Sequence, residues 1–268
     1  MSEIKPIFKN TIVDEENHEW RPSNFSDFLA ELEHLKKTIN EALIFRGHRQ
    51  SDWLLDSTFA RSLKKQLRVP LTSRYPYEFL EQIPFQHALS REWLKKVDSV
   101  QFSPQLLAFH PQGIDLYFEY HRHLQQNPQS PLIEDIEPFG TNLIDFSQDW
   151  RVGLFFANLN RLNDSEGALY VVRQSAIGDK TFINTSFDKV VLDMKKWLEQ
   201  RTAEAYRDLP YLLYPQMQLK NSLDPKPDHQ KAIYFAQTDF RFDLGLSWYL
   251  LRNRTQKQVY YKLVLPQN

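Results

Sequence analysis

Arg46, His48 and Arg49 stand within four positions of one another in FRGHRQSDW, directly behind the apolar run ALIF. A guanidinium offers a planar fork of donors that matches a pair of phosphate oxygens, so such a cluster can hold a phosphate or pyrophosphate. A structural salt bridge accounts for the same residues equally well. Thr141, Asp145 and Ser147 follow in TNLIDFSQDW, polar groups spaced along a short apolar segment where they could face a cleft. Ser147 or Asp149 could equally cap the helix that begins there. In AQTDFRF, Gln237 and Asp239 alternate, so on a strand they share one side, with Ala236 and Phe240 on the other. Such a pair is either a solvated face or a place to hold a ribose hydroxyl and stabilise a cationic sugar centre.

Other chemistries lack their residues. The chain has 0 Cys, which removes thiol catalysis, cysteine-ligated zinc, iron–sulfur clusters and disulfides together. His121 and His123 are two apart on an expected helix and point to different faces, and there is no HExxH, so no metal is expected. GxSxG, GxxxxGK[ST] and GxGxxG are also missing, against a hydrolase elbow, a P-loop and a Rossmann turn. Lys64, Lys65 and Arg68, and the pair Lys195 and Lys196, read as solvated helix faces. A net charge of -1 and a pI near 6.7 restrict any nucleic-acid contact to a local basic patch. The N-terminus is charged and no apolar run reaches the roughly 20 residues of a membrane span, so a cytoplasmic protein is expected.

The elements that must position these residues read as a mixture without regular βαβ alternation, an α+β domain. SNFSDFLAELEHLKKTINEA sets Phe25, Phe28, Leu29, Leu32, Leu35 and Ile39 on one helical face, with Ser23 or Asn24 as N-cap. ALIFRG then reads as a buried strand ended by Gly47. The spacing predicts helices over much of 58–126, GALYVV at 167–172 is a strand, and FDKVVLDMKKWLEQRTAEAYRD is an amphipathic helix. KAIYFAQTDFRF and VYYKLVLP return to strand composition. One domain spans 1–268, with 1–22 as a polar leader and 58–126 as a helical insertion. Trp53 and Leu54 are expected to anchor their loop in the core, and Gly47 to let a phosphate-bearing ligand approach the backbone beside Arg46.

FRGHRQSDWLLDSTFAR, followed at long range by FGTNLIDFSQDWRVGLFFA, resembles the FRG domain, whose Phe-Arg-Gly triplet is here Phe45, Arg46 and Gly47. The second signature of that family, a Gly-x-x-Thr-x-Leu-Leu-Asp-Trp-Thr-like block leading to Phe-Ala, is similar to Gly140 through Ser147 and then Phe155-Phe156-Ala157. The chain departs from the pattern at Glu137-Pro138, where Gln-His is usual, at Phe146 in place of Trp, and at Gln-Thr-Asp in place of Gln-x-Gly.

The resemblance implies an ADP-ribosyltransferase-like split β-sheet core and NAD as co-substrate. It casts Arg46, Ser147 and Asp239 as catalytic: Arg46 on the pyrophosphate, Ser147 supporting the nicotinamide pocket, and Gln237 with Asp239 replacing a late Gln-x-Glu pair. Gly47, Thr141, Asp145 and Gln237 join Arg46 and Ser147 in holding the nucleotide. It further implies transfer of ADP-ribose to a macromolecular acceptor, RNA, DNA or protein, by a bacterial or phage-defence toxin with an antitoxin or chaperone partner. For a nucleic acid, Lys64, Lys65, Arg68 and Arg74 would supply phosphate contacts. The competing expectation is a non-enzymatic module that binds a nucleotide or nucleic acid through the Arg46 cluster.

Overall fold

A computed structural model describes residues 4–15, 18–66, 68, 70–72, 143–177, 231–236, 243–255 and 258–267. Thr141, Gln237, Asp239, Arg74, the histidines at 121 and 123, the lysines at 195 and 196, most of the helical segment 58–126 and the helix expected near 187–208 lie outside them.

The described chain forms a mixed seven-stranded sheet with helices, an α+β arrangement. Its strands are β1 (Ile12–Asp14), β2 (Glu19–Arg21), β3 (Leu43–His48), β4 (Leu143–Ser147), β5 (Gly167–Arg173), β6 (Ala232–Ala236) and β7 (Tyr260–Leu265), in the spatial order β1-β2-β7-β5-β3-β4-β6. All neighbours are antiparallel except β2 with β7. β3 is registered against β5 along its whole length, from Leu43 opposite Arg173 to His48 opposite Ala168. β4 and β6 are equally well joined, from Leu143 opposite Ala236 to Ser147 opposite Ala232. Between β3 and β4 the register is the single pair Phe45 and Ser147, so the sheet parts there into two leaves.

β5 is buried at every position, because both faces of the sheet are covered. Strand alternation divides its side chains between two cores. Tyr170 and Val172 join Ile44, Phe146, Phe235, Trp248 and Tyr260 on one face, while Leu169 and Val171 join Phe45, Leu263 and Leu265 on the other. Helix α1 (Phe25–Ile39) covers the second face with Phe28, Leu32, Leu35 and Ile39, at the expected spacing. Asn24 is its N-cap, accepting from the Asp27 N–H at 2.9 Å, and Asn40 ends it in the left-handed region at φ 48. Phe25, in the first turn, stays 49% exposed and stacks on Phe28.

Three expectations are revised. The polar leader is part of the sheet: it contributes β1 and β2. The fully buried Glu31 on α1 anchors it by accepting from the Ile7 and Phe8 N–H groups and the Thr11 hydroxyl, at 3.0, 3.1 and 3.0 Å. Lys64, on α2 (Thr58–Gln66), is not on a solvated face. It is buried and paired with the equally buried Asp56, since a cation can leave water only with an anionic partner. Two further helices, α3 (Trp150–Asn158) and the short α4 (Gln174–Ile177), follow β4 and β5. A last helix, α5 (Leu244–Thr255), precedes β7 where no helix is expected, started by Asp243 accepting from the Gly245 N–H at 2.8 Å and centred on the fully buried Trp248. Among the described residues, no helix is long and apolar enough to cross a membrane.

Candidate functional site

A cleft of about 260 Å³ opens where β3 and β4 part. Alternation along β3 sends Arg46 and His48 to one side and Phe45 and Gly47 to the other. Beyond the Phe45–Ser147 pair, the antiparallel count would bring Gly47 opposite Asp145, but that pairing is not made. The side chain of Arg46 spans the gap instead. Its Nη1 donates to the Asp145 backbone carbonyl at 2.5 Å and its Nε donates to His48 Nε2 at 3.0 Å, with the guanidinium 5.9 Å from the Phe146 ring centre.

An arginine only donates, so His48 Nε2 is an acceptor and the ring proton sits on Nδ1, which faces the Trp53 carbonyl at 3.3 Å. His48 is 3% exposed. Burial, with Arg46 and Arg61 beside it, pushes its pKa well below the ordinary value, which fits a neutral ring. The Trp53 carbonyl is held from a second side by the Tyr170 hydroxyl at 3.3 Å. His48 is therefore a fixed, uncharged rest for Arg46.

Two more arginines face the same cleft. The Arg49 and Arg61 guanidiniums lie 5.0 and 5.8 Å from the centre of the Trp53 ring, and Arg61 also donates to the Asp56 carbonyl at 3.1 Å and the Thr58 hydroxyl at 3.3 Å. Burial lowers the Arg46 pKa to about 10, with Asp145 opposing and Arg61 adding to the fall. Arg61 is lowered by burial first and by Arg49 last, against Asp56 and Asp145. Both stay protonated near neutrality. Three guanidiniums around one open cleft make a local cationic field in a chain whose net charge is -1.

The lining also includes Asp145 with Val152, Phe156 and Leu159. Water reaches Asp145 from the cleft mouth, yet the surrounding protein raises its pKa by desolvation, opposed by Arg46 and then Arg61. Among the described residues its carboxylate accepts no hydrogen bond and forms no ion pair. Ser147, also in the lining, is 4% exposed, and its hydroxyl accepts from the Asp149 N–H at 2.9 Å. Asp149 in turn caps α3 by accepting from the Arg151 N–H at 3.0 Å. Ser147 thus fixes the turn into α3.

Gly47, which lines the cleft, also has a packing reason. A Cβ there would lie 1.9 Å from the Gly153 carbonyl oxygen and 2.4 Å from the Ala157 nitrogen, because α3 crosses directly on the strand. Gly153 meets it from the helix side, where a Cβ would come 3.1 Å from that of Phe45. The structure brings together Arg46, Gly47, Asp145 and Ser147 of the expected site. With them stand His48 and Arg49 of the expected cationic cluster, and Trp53, expected in the core, is only half-buried and lines the cleft. Arg61 had no signal in the sequence, since only the turn of the chain between β3 and α2 brings it back beside Arg49. The chain matches no protein-family model, no curated protein and no solved structure in the comparisons made.

Proposed function

We propose that the cleft binds the pyrophosphate of NAD and that the chain is an FRG-type, ADP-ribosyltransferase-like protein that transfers ADP-ribose to a macromolecular acceptor, RNA, DNA or protein, as a defence toxin. The observation that carries this reading is the convergence of Arg46, Arg49 and Arg61 at the seam of the sheet, with a neutral histidine fixing the first of them. A guanidinium has five N–H donors and Arg46 commits two to His48 and Asp145, which leaves three for an anion. The parting of β3 from β4 supports a split-sheet architecture, with the ligand at the split. When bound, NAD supplies a nicotinamide–ribose bond whose cleavage develops oxocarbenium character. The chain's share is to grip the phosphates and to present a carboxylate, in this reading Asp239, to the sugar.

A second reading, a non-enzymatic nucleotide-binding module, is favoured by Ser147, whose hydroxyl is engaged by the Asp149 N–H within the turn. Incubation with labelled NAD and total RNA, DNA and protein separates the two. Release of nicotinamide and transfer of label, both lost in Arg46→Ala, are expected for the enzyme. Saturable NAD binding without release supports the module, and absence of binding rejects both.

A further inference from the structure

Several acidic side chains in the described chain are paired with cations, Asp56 with Lys64, Glu41 with Arg173 and Glu19 with Lys262 and Arg21, and the fully buried Glu31 accepts three hydrogen bonds. Asp145 is the contrast. It faces a cleft lined by three arginines, Arg46 holds its backbone carbonyl, and among the described residues its carboxylate has no hydrogen bond or ion pair. In a pocket that serves only to hold an anion, a carboxylate is a cost, because it repels each negative charge that enters. An ionised carboxylate accepts hydrogen bonds and never donates them, so the ligand group that satisfies it must be a donor, and beside three arginines that donor need carry no charge of its own. A hydroxyl carried beside a phosphate meets both conditions.

We infer that Asp145 is the specificity-determining residue of the cleft, selecting a phosphate ester that carries a sugar hydroxyl over a bare polyphosphate. The inference rests on the nucleotide reading above and gives Asp145 a role within it. Desolvation raises the pKa of Asp145, and Arg46 and then Arg61 oppose that rise. The ligand's phosphates occupy the arginine wall, and its sugar turns a hydroxyl to Asp145. Free pyrophosphate gains the same arginines but brings more negative charge to the carboxylate and no sugar hydroxyl.

The test is calorimetric titration of the whole chain with ADP-ribose and with inorganic pyrophosphate. Asp145→Asn isolates the charge, since the contact from Arg46 is to the backbone and survives the change. The wild type is expected to prefer ADP-ribose. The variant is expected to bind pyrophosphate about tenfold tighter and ADP-ribose more weakly, a change of the size that one removed like charge produces in a partly hydrated site. If both ligands bind the wild type and their ratio in Asp145→Asn stays within about twofold, the selective role is overturned while the nucleotide reading stands. If neither ligand binds the wild type, the nucleotide reading falls and this inference with it. Should Asp145→Asn fail to fold, Asp145→Ser carries the same comparison, with the same result required.

Discussion

His48 decides how well Arg46 can act, because it touches the guanidinium through one nitrogen and the Trp53 carbonyl through the other. Glutamine can place an acceptor near the position of Nε2, whereas leucine offers none. His48→Gln is therefore expected to hold pyrophosphate affinity within about threefold, and His48→Leu to weaken it about tenfold through a free-swinging Arg46. Calorimetry reads both. A nitrogen-15 spectrum of the imidazole supplies an independent check: the proton belongs on Nδ1, and a proton on Nε2 would remove the rest from beneath Arg46.

At the scale of elements, the contact of β3 with α3 depends on two glycines meeting. Gly47→Ala puts a methyl 1.9 Å from a backbone oxygen that cannot move without shifting the helix. A loss of about 3 kcal/mol or more is expected in urea unfolding, at the upper end of overpacking costs. A loss below about 1 kcal/mol would show that α3 moves aside freely.

The sequence announced α1 and β5 well, since Leu32 and Leu35 keep a helical period and GALYVV is strand-like throughout. It hid α5, because LGLSWYLLRNRT does not gather its apolar side chains on one face and the buried Leu244, Leu246 and Trp248 stand two apart, which is no helical period. It also hid the strands of the leader, whose pairing with β7 joins residues far apart in the chain. At the site, Arg46 stood out through its neighbours in the chain. Asp145 was named without its place beside Arg46, which holds its carbonyl, and Lys64 misled because its partner Asp56 becomes visible only once the loop closes.

At the scale of the whole molecule, two buried histidines among the described residues contribute to the response to acid. His18 is lowered to about 4, by burial first and then by Arg252 against Asp14, and His48 is lowered further by burial beside the arginines. In the unfolded chain both take protons near pH 6.5. Their stabilising effect is therefore complete above that pH. It is lost as the pH falls from 6.5 towards about 4, where folded His18 begins to accept its proton. Each contributes at most about 1.4 kcal/mol per pH unit in that window. The urea midpoint should be level from pH 7 to 8 and fall below 6.5, and His48→Gln should flatten the slope. An unchanged slope in that variant would assign the acid sensitivity elsewhere.

The bare contact of Gly47 with Gly153 also fixes a dimension. At that contact no side chain lies between strand and helix to act as a cushion, so β3 and α3 are held backbone to backbone. Arg46 rides on the first and Phe156 on the second, and both line the cleft. The distance between its charged wall and its apolar wall is then a fixed gauge, set by backbone on backbone, against which a ligand is measured before any hydrogen bond forms.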